Sequence, residues 1–104
     1  MIRRHWFVFC LLALTALPAG VVIPVAGDLE RDGREALERQ LPLMLVFSAI
    51  TCSHCDELEE EFIRPMLLSG EYSDRILIRK LVLDNGSSLT DFAGQRRAVE
   101  EFAH

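Results

Sequence analysis

The 104-residue chain is short of cysteine and has fewer positive than negative charges. Three cysteines are too few for a small fold stapled by several disulfides. One of them, Cys10, stands alone in an apolar N-terminal run, where a small hydrophobe suits the position, so a single pair is left for chemistry. Eleven lysines and arginines face 16 aspartates and glutamates, a net charge of −5. That balance argues against a nucleic-acid partner, which would require a basic face. Repeats and low-complexity stretches are missing, and the length allows one domain.

Acid is also missing from the first 27 residues. Arg3 and Arg4 precede an uncharged run from Trp6 to Gly27, the order of a secretory leader. Residues 1–27 are therefore expected to be a signal peptide or an N-terminal membrane anchor, and residues 28–104 the domain. Pro18-Ala19-Gly20 offers one end point for a leader, and the small residues of Val25-Ala26-Gly27 offer a later cleavage site. If uncleaved, residues 6–27 are long enough to span a bilayer, although Pro18, Gly20 and Pro24 interrupt them. Both versions put the N-terminus on the cytoplasmic side. The expected location is periplasmic or exported, or anchored by the N-terminus. The part after the leader carries 9 basic and 16 acidic residues, a net charge of −7.

What is present is one concentrated motif, Cys52-Ser53-His54-Cys55. It follows the apolar run Leu43-Met44-Leu45-Val46-Phe47 and precedes an acidic helical stretch, Asp56-Glu57-Leu58-Glu59-Glu60-Glu61-Phe62. A strand that delivers two cysteines to the first turn of a helix is suited to redox chemistry. Free backbone N–H groups and the positive end of the helix dipole stabilise a thiolate at the first cysteine. The thiolate, not the thiol, attacks a disulfide.

The rest of the pattern reads α-β-α-β-α. Residues 28–40 are amphipathic, with Leu29, Ala36, Leu37 and Leu41 on one side, and Asp32 with Glu35 at capping-box spacing. Residues 41–48 suit a strand covered on both faces. Thr51 is placed as the N-cap of the next helix. That helix carries Leu58, Phe62 and Met66 at intervals of four until Pro65 kinks or ends it. Residues 75–84 read as a second strand, residues 84–88 as a turn, and a last helix starts near Gly94.

This arrangement resembles the N-terminal half of a thioredoxin-like domain. The resemblance rests on Val46-Phe47-Ser48-Ala49-Ile50-Thr51-Cys52-Ser53-His54-Cys55 and on Lys80-Leu81-Val82-Leu83-Asp84. The nearest likeness is to exported bacterial thioredoxin-fold proteins. The resemblance implies an α/β fold that lacks the C-terminal β-hairpin and last helix. It implies a thiol–disulfide oxidoreductase acting on cysteine-containing envelope proteins, with a membrane redox partner in many relatives. Cys52 is implied as nucleophile and Cys55 as the buried resolving thiol. Thr51, Ser53, His54 and Lys80 take supporting positions, and His54 would stabilise the Cys52 thiolate. The acidic run acts the other way by raising thiol pKa values, and otherwise serves as a solvated face that complements the helix dipole.

The sequence departs from the family at several points. The buried carboxylate six residues before the first cysteine is Val46 here, which leaves Lys80 without that partner. The tryptophan before the first cysteine is Thr51. Pro18, Pro24, Pro42 and Pro65 all precede the position of the cis-proline loop, so the chain reads as truncated. Two other functions compete. One is a metal-binding module in which Cys52, Cys55 and a histidine hold Cu(I) or Zn(II), although one C-x-x-C falls short of a closed zinc site. The other is a non-catalytic remnant. The leading reading expects no cofactor and no metal.

Overall fold

The computed structural model describes residues 21–104, and the expectations for residues 1–20, Cys10 among them, lie outside the described residues. The elements are α1 (Leu29–Arg39), β1 (Leu43–Ser48), α2 (Ser53–Leu58), α3 (Arg64–Ser69), β2 (Leu77–Val82), β3 (Ser88–Thr90), β4 (Arg96–Ala98) and α4 (Val99–Phe102). A π-helical stretch, Glu59–Ile63, joins α2 to α3 without a break. Among the described residues, no helix is long and apolar enough to cross a membrane.

β1 and β2 pair in parallel, from Leu43 opposite Leu77 to Ser48 opposite Val82. The cysteine helix is the crossover between them. On the far side of β2, residues 24–26 run alongside, with Val25 bridging Lys80. β3 and β4 form an antiparallel hairpin: β3 follows the turn expected over 84–88, and β4 lies where the last helix is expected from near Gly94. The turn between them requires Gly94 at φ 82°, a conformation glycine adopts without strain. The last helix accordingly begins only at Val99.

Alternation along β2 sorts the fold into layers. Leu81 is 1% exposed and packs with Ala26, Leu29, Leu89 and Val99, the side of α1 and the hairpin. Ile78 packs with Ile23, Val46 and Ile63, the side of the cysteine helix. The two charges inside this strand, Arg79 and Lys80, point to opposite layers, and each meets a buried acid there. Arg79 donates from Nε and a terminal nitrogen to the two oxygens of Asp32 on α1, at 3.0 and 3.1 Å. Lys80 Nζ lies 2.6 Å from Glu59 Oε1 on the cysteine helix.

These contacts, with Pro65, correct three expectations. α1 falls inside the expected 28–40, but Asp32 does not cap it: Asp28 is the N-cap, accepting from the Arg31 N–H at 3.0 Å, and Asp32 is fully buried against Arg79. The buried face of α1 is therefore Leu29, Asp32 and Ala36, while Leu37 is 80% exposed. In the cysteine helix, Leu58 and Phe62 face out, and Glu59 and Ile63 are buried instead. The cause is Pro65. It has no N–H, and its ring crowds the carbonyl four residues back. The helix widens by one residue ahead of it, with the Arg64 N–H donating to the Glu59 carbonyl five residues away. That turns the buried face and lets the helix run through Pro65 to Gly70 (φ 67°). β1 also departs from a strand covered on both faces, because Phe47 is 43% exposed.

Candidate active site at the end of β1

β1 ends at Ser48, whose carbonyl accepts from the Leu83 N–H at 2.9 Å. The chain then turns through Ala49, Ile50 and Thr51. Asp84, just past the end of β2, accepts from the Ile50 N–H at 2.8 Å and pins that turn. Nothing in the spacing of Asp84 named this role; an acid directly after the neighbouring parallel strand is the only signal it leaves.

Cys52 is the N-cap of α2, not Thr51, which is exposed in the turn. Its backbone is extended (φ −128°, ψ 96°), and its Sγ accepts from the Cys55 N–H at 3.2 Å. The physical reason is position: the cap has to reach the third amide of the helix, and residue 52 is the one whose side chain does. The two cysteines form a disulfide with Cα atoms 5.2 Å apart. Cys52 and Cys55 are both half-buried, which corrects the expectation of a buried Cys55. Among the described residues β1 has a strand on one side only, and Thr51, Ser53 and His54 around the disulfide are exposed.

Ser53 is the exposed first residue of α2. His54 is 94% exposed at its side chain, with Nδ1 3.9 Å from Glu57 Oε2. An ion contact that long and that exposed contributes little. Asp56, Glu57, Glu60 and Glu61 are solvated, as the sequence reading had them, and Glu59 is the exception.

Glu59 lies one turn beyond Cys55, to whose carbonyl its N–H donates. Its residue is 4% exposed, and the side chain of its partner Lys80 is 22% exposed. The pair is a close charge contact rather than a well-angled hydrogen bond. Lys80 is opposite Val46 in the strand register, so the helix supplies a carboxylate where the strand has none. Sequence reasoning missed Glu59 because it sits inside an acidic run. The available signal was Lys80, a cation in an apolar strand that requires a counter-charge.

Ile50 (63%), Leu58 (43%) and Phe62 (59%) leave apolar surface exposed on the turn before the motif and on the helix after it. Among the described residues, no group of three or more histidine, cysteine, aspartate or glutamate side chains is gathered as metal ligands. In this state both sulfurs are bonded to each other.

The chemical content of the arrangement is a disulfide at a helix N-terminus. A ring closed over a separation of three residues restricts little of the unfolded chain, so it is a poor structural staple. The Cys55 amide that meets Cys52 Sγ would hold a negative sulfur more strongly than a neutral one.

Neither curated proteins nor solved structures gave a match to the chain. The sequence model of a thioredoxin-like family matches residues 24–99, which includes β1, the cysteine motif, β2 and the hairpin. With the parallel β1–β2 pair and the C-x-x-C at its helical crossover, that match over most of its length establishes that the chain belongs to the thioredoxin-like family.

Proposed function

We propose that the protein is an exported thiol–disulfide oxidoreductase that uses Cys52 and Cys55 on cysteine-containing proteins of the cell envelope. The observation that carries this reading is the disulfide at the N-terminus of α2, with Cys52 as the capping sulfur. The acid-free leader with Arg3 and Arg4 supports export.

In the oxidised state, a substrate thiolate attacks Cys52 Sγ and breaks the Cys52–Cys55 bond. Cys55 leaves as a thiolate and takes a proton from solvent. The second substrate thiolate then attacks the substrate sulfur of the mixed disulfide and releases Cys52 as a thiolate, held by the Cys55 N–H. The substrate loses two electrons to the protein and two protons to solvent, and the protein, which takes one proton back on Cys55, is left with a Cys55 thiol and a Cys52 thiolate. Run in reverse, the Cys52 thiolate attacks a substrate disulfide and Cys55 resolves the mixed disulfide. Ile50, in the turn before Cys52, and Leu58 and Phe62, further along the cysteine helix, are exposed apolar surface that an unfolded chain could use.

Trapping tests the reading. Cys55→Ser cannot resolve the mixed disulfide and should accumulate adducts with envelope proteins that reductant reverses. Cys52→Ser should trap far fewer. If Cys55→Ser captures nothing while folded, the oxidoreductase role is wrong.

A further inference from the structure

Two points in the N-terminal stretch have the small residues at which a leader is cut, Pro18-Ala19-Gly20 and Val25-Ala26-Gly27. The second lies inside the fold. Lys80 N–H donates to the Pro24 carbonyl and Ala26 N–H to the Lys80 carbonyl, both at 2.8 Å. Thr90 N–H donates to the Gly27 carbonyl at 2.9 Å, and Asp28 bridges Thr90 before capping α1. Ile23 is 4% exposed among Val46, Ile63 and Ile78, the layer of the cysteine helix. Ala26 is 4% exposed among Leu29, Leu81, Leu89 and Val99, the opposite layer. One short extended segment thus packs into both halves of the core and bridges the outer edge of β2 at Val25.

The segment also stands beside the buried ion pair. Val22, Ile23 and Val25 line a cleft of about 140 Å³ with Glu59, Arg64 and Lys80. A chain cut after Ala26 or Gly27 loses Ile23, both backbone bonds to Lys80 and one wall of this cleft. A chain cut after Gly20 keeps all of them. A leader peptidase acts on extended chain, so the choice shows in which product folds rather than in access to the bond. The family match begins at residue 24, before either product of the later cut would start.

We propose that residues 21–27 are a permanent strand of the working domain. Any removal of the leader hydrolyses a peptide bond at Pro18-Ala19-Gly20, one water adding across it to give a carboxylate and a new amino terminus, and spares Val25-Ala26-Gly27. The processing half of this proposal rests on the export reading above; the strand half does not.

Intact mass of the full-length gene product purified from the cell envelope tests the first half. A mature chain that retains Ile23 supports the proposal, and one that starts at Gly27 or Asp28 overturns it. Urea unfolding of Ile23→Ala and Ala26→Glu in the same protein tests the second half. Both should lower the midpoint, Ala26→Glu by about 1 M or more because it forces a charge into the core. If both variants unfold at the wild-type midpoint, the strand is dispensable and the proposal fails. A full-length chain found only in the cytosol would refute export, and the two variants would still decide the strand.

Discussion

Replacing Glu59 by leucine leaves the Lys80 ammonium without its counter-charge. The contact is 2.6 Å, with the Glu59 side chain 6% and the Lys80 side chain 22% exposed. Removing one partner of a buried pair costs about 3–5 kcal/mol. Lys80 borders a cleft and can extend toward water, so Glu59→Leu belongs at the lower end, about 3 kcal/mol. Lys80→Met leaves the more deeply buried carboxylate alone and should cost about 3–5 kcal/mol. Glu59→Gln also removes the counter-charge but keeps a polar oxygen near the ammonium, so it should cost less, about 1–2 kcal/mol. The double variant Glu59→Leu/Lys80→Met puts apolar groups against each other, and a coupling of roughly 2–3 kcal/mol should be recovered. Urea unfolding of the four variants, followed by circular dichroism, gives all these numbers in one cycle. If Glu59→Leu costs less than about 0.5 kcal/mol and the coupling is equally small, the pair does not tie the cysteine helix to β2 as described.

Three further outcomes are expected. In the reduced protein at neutral pH, iodoacetamide should label Cys52 several-fold faster than Cys55, because only Cys52 is held by a cap amide; equal rates would show that the cap does not act on the sulfur. Asp84→Ala frees the Ile50 N–H and should cost about 1 kcal/mol in urea unfolding while shifting the reactivity of Cys52; an unchanged reactivity would remove Asp84 from the site. The Gln95 N–H above all, with Arg97 and the Ala93 N–H, holds the Asp91 carboxyl below its ordinary value against the opposing effect of burial. A carboxyl depressed in the folded state stabilises above its unfolded pKa of about 3.9 and loses that contribution as pH falls further. Asp91→Asn should therefore flatten the fall of the unfolding midpoint below roughly pH 4, and an unchanged slope there would exclude Asp91 as a contributor.

The strands and the motif were legible because their signals are local. An apolar run bounded by Pro42 and Cys52 reads as β1, and the second run around Leu81 as β2. The parallel pairing follows from the helical crossover between them. What was not legible depended on partners distant in sequence. Asp32 looked like a cap because its spacing to Glu35 fits one, yet Arg79, 47 residues away, draws it into the core. Leu58 and Phe62 looked like the buried face because a regular helix would bury that row, and the π turn before Pro65 moves it. Val25 and Ala26 read as leader because their composition continues it, while their backbone bonds go to Lys80. The hairpin is three residues a side, too short for alternation to show.

The redox potential of the Cys52–Cys55 pair bears most directly on whether it turns over. The purified protein, equilibrated in glutathione buffers of graded ratio, is quenched and its free thiols counted by mass. A reversible two-electron transition should appear, with a midpoint in the range of about −120 to −270 mV found for exchanging pairs of this family. A bond that stays oxidised down to about −300 mV or below would be structural, and the pair would not be the working centre of an oxidoreductase.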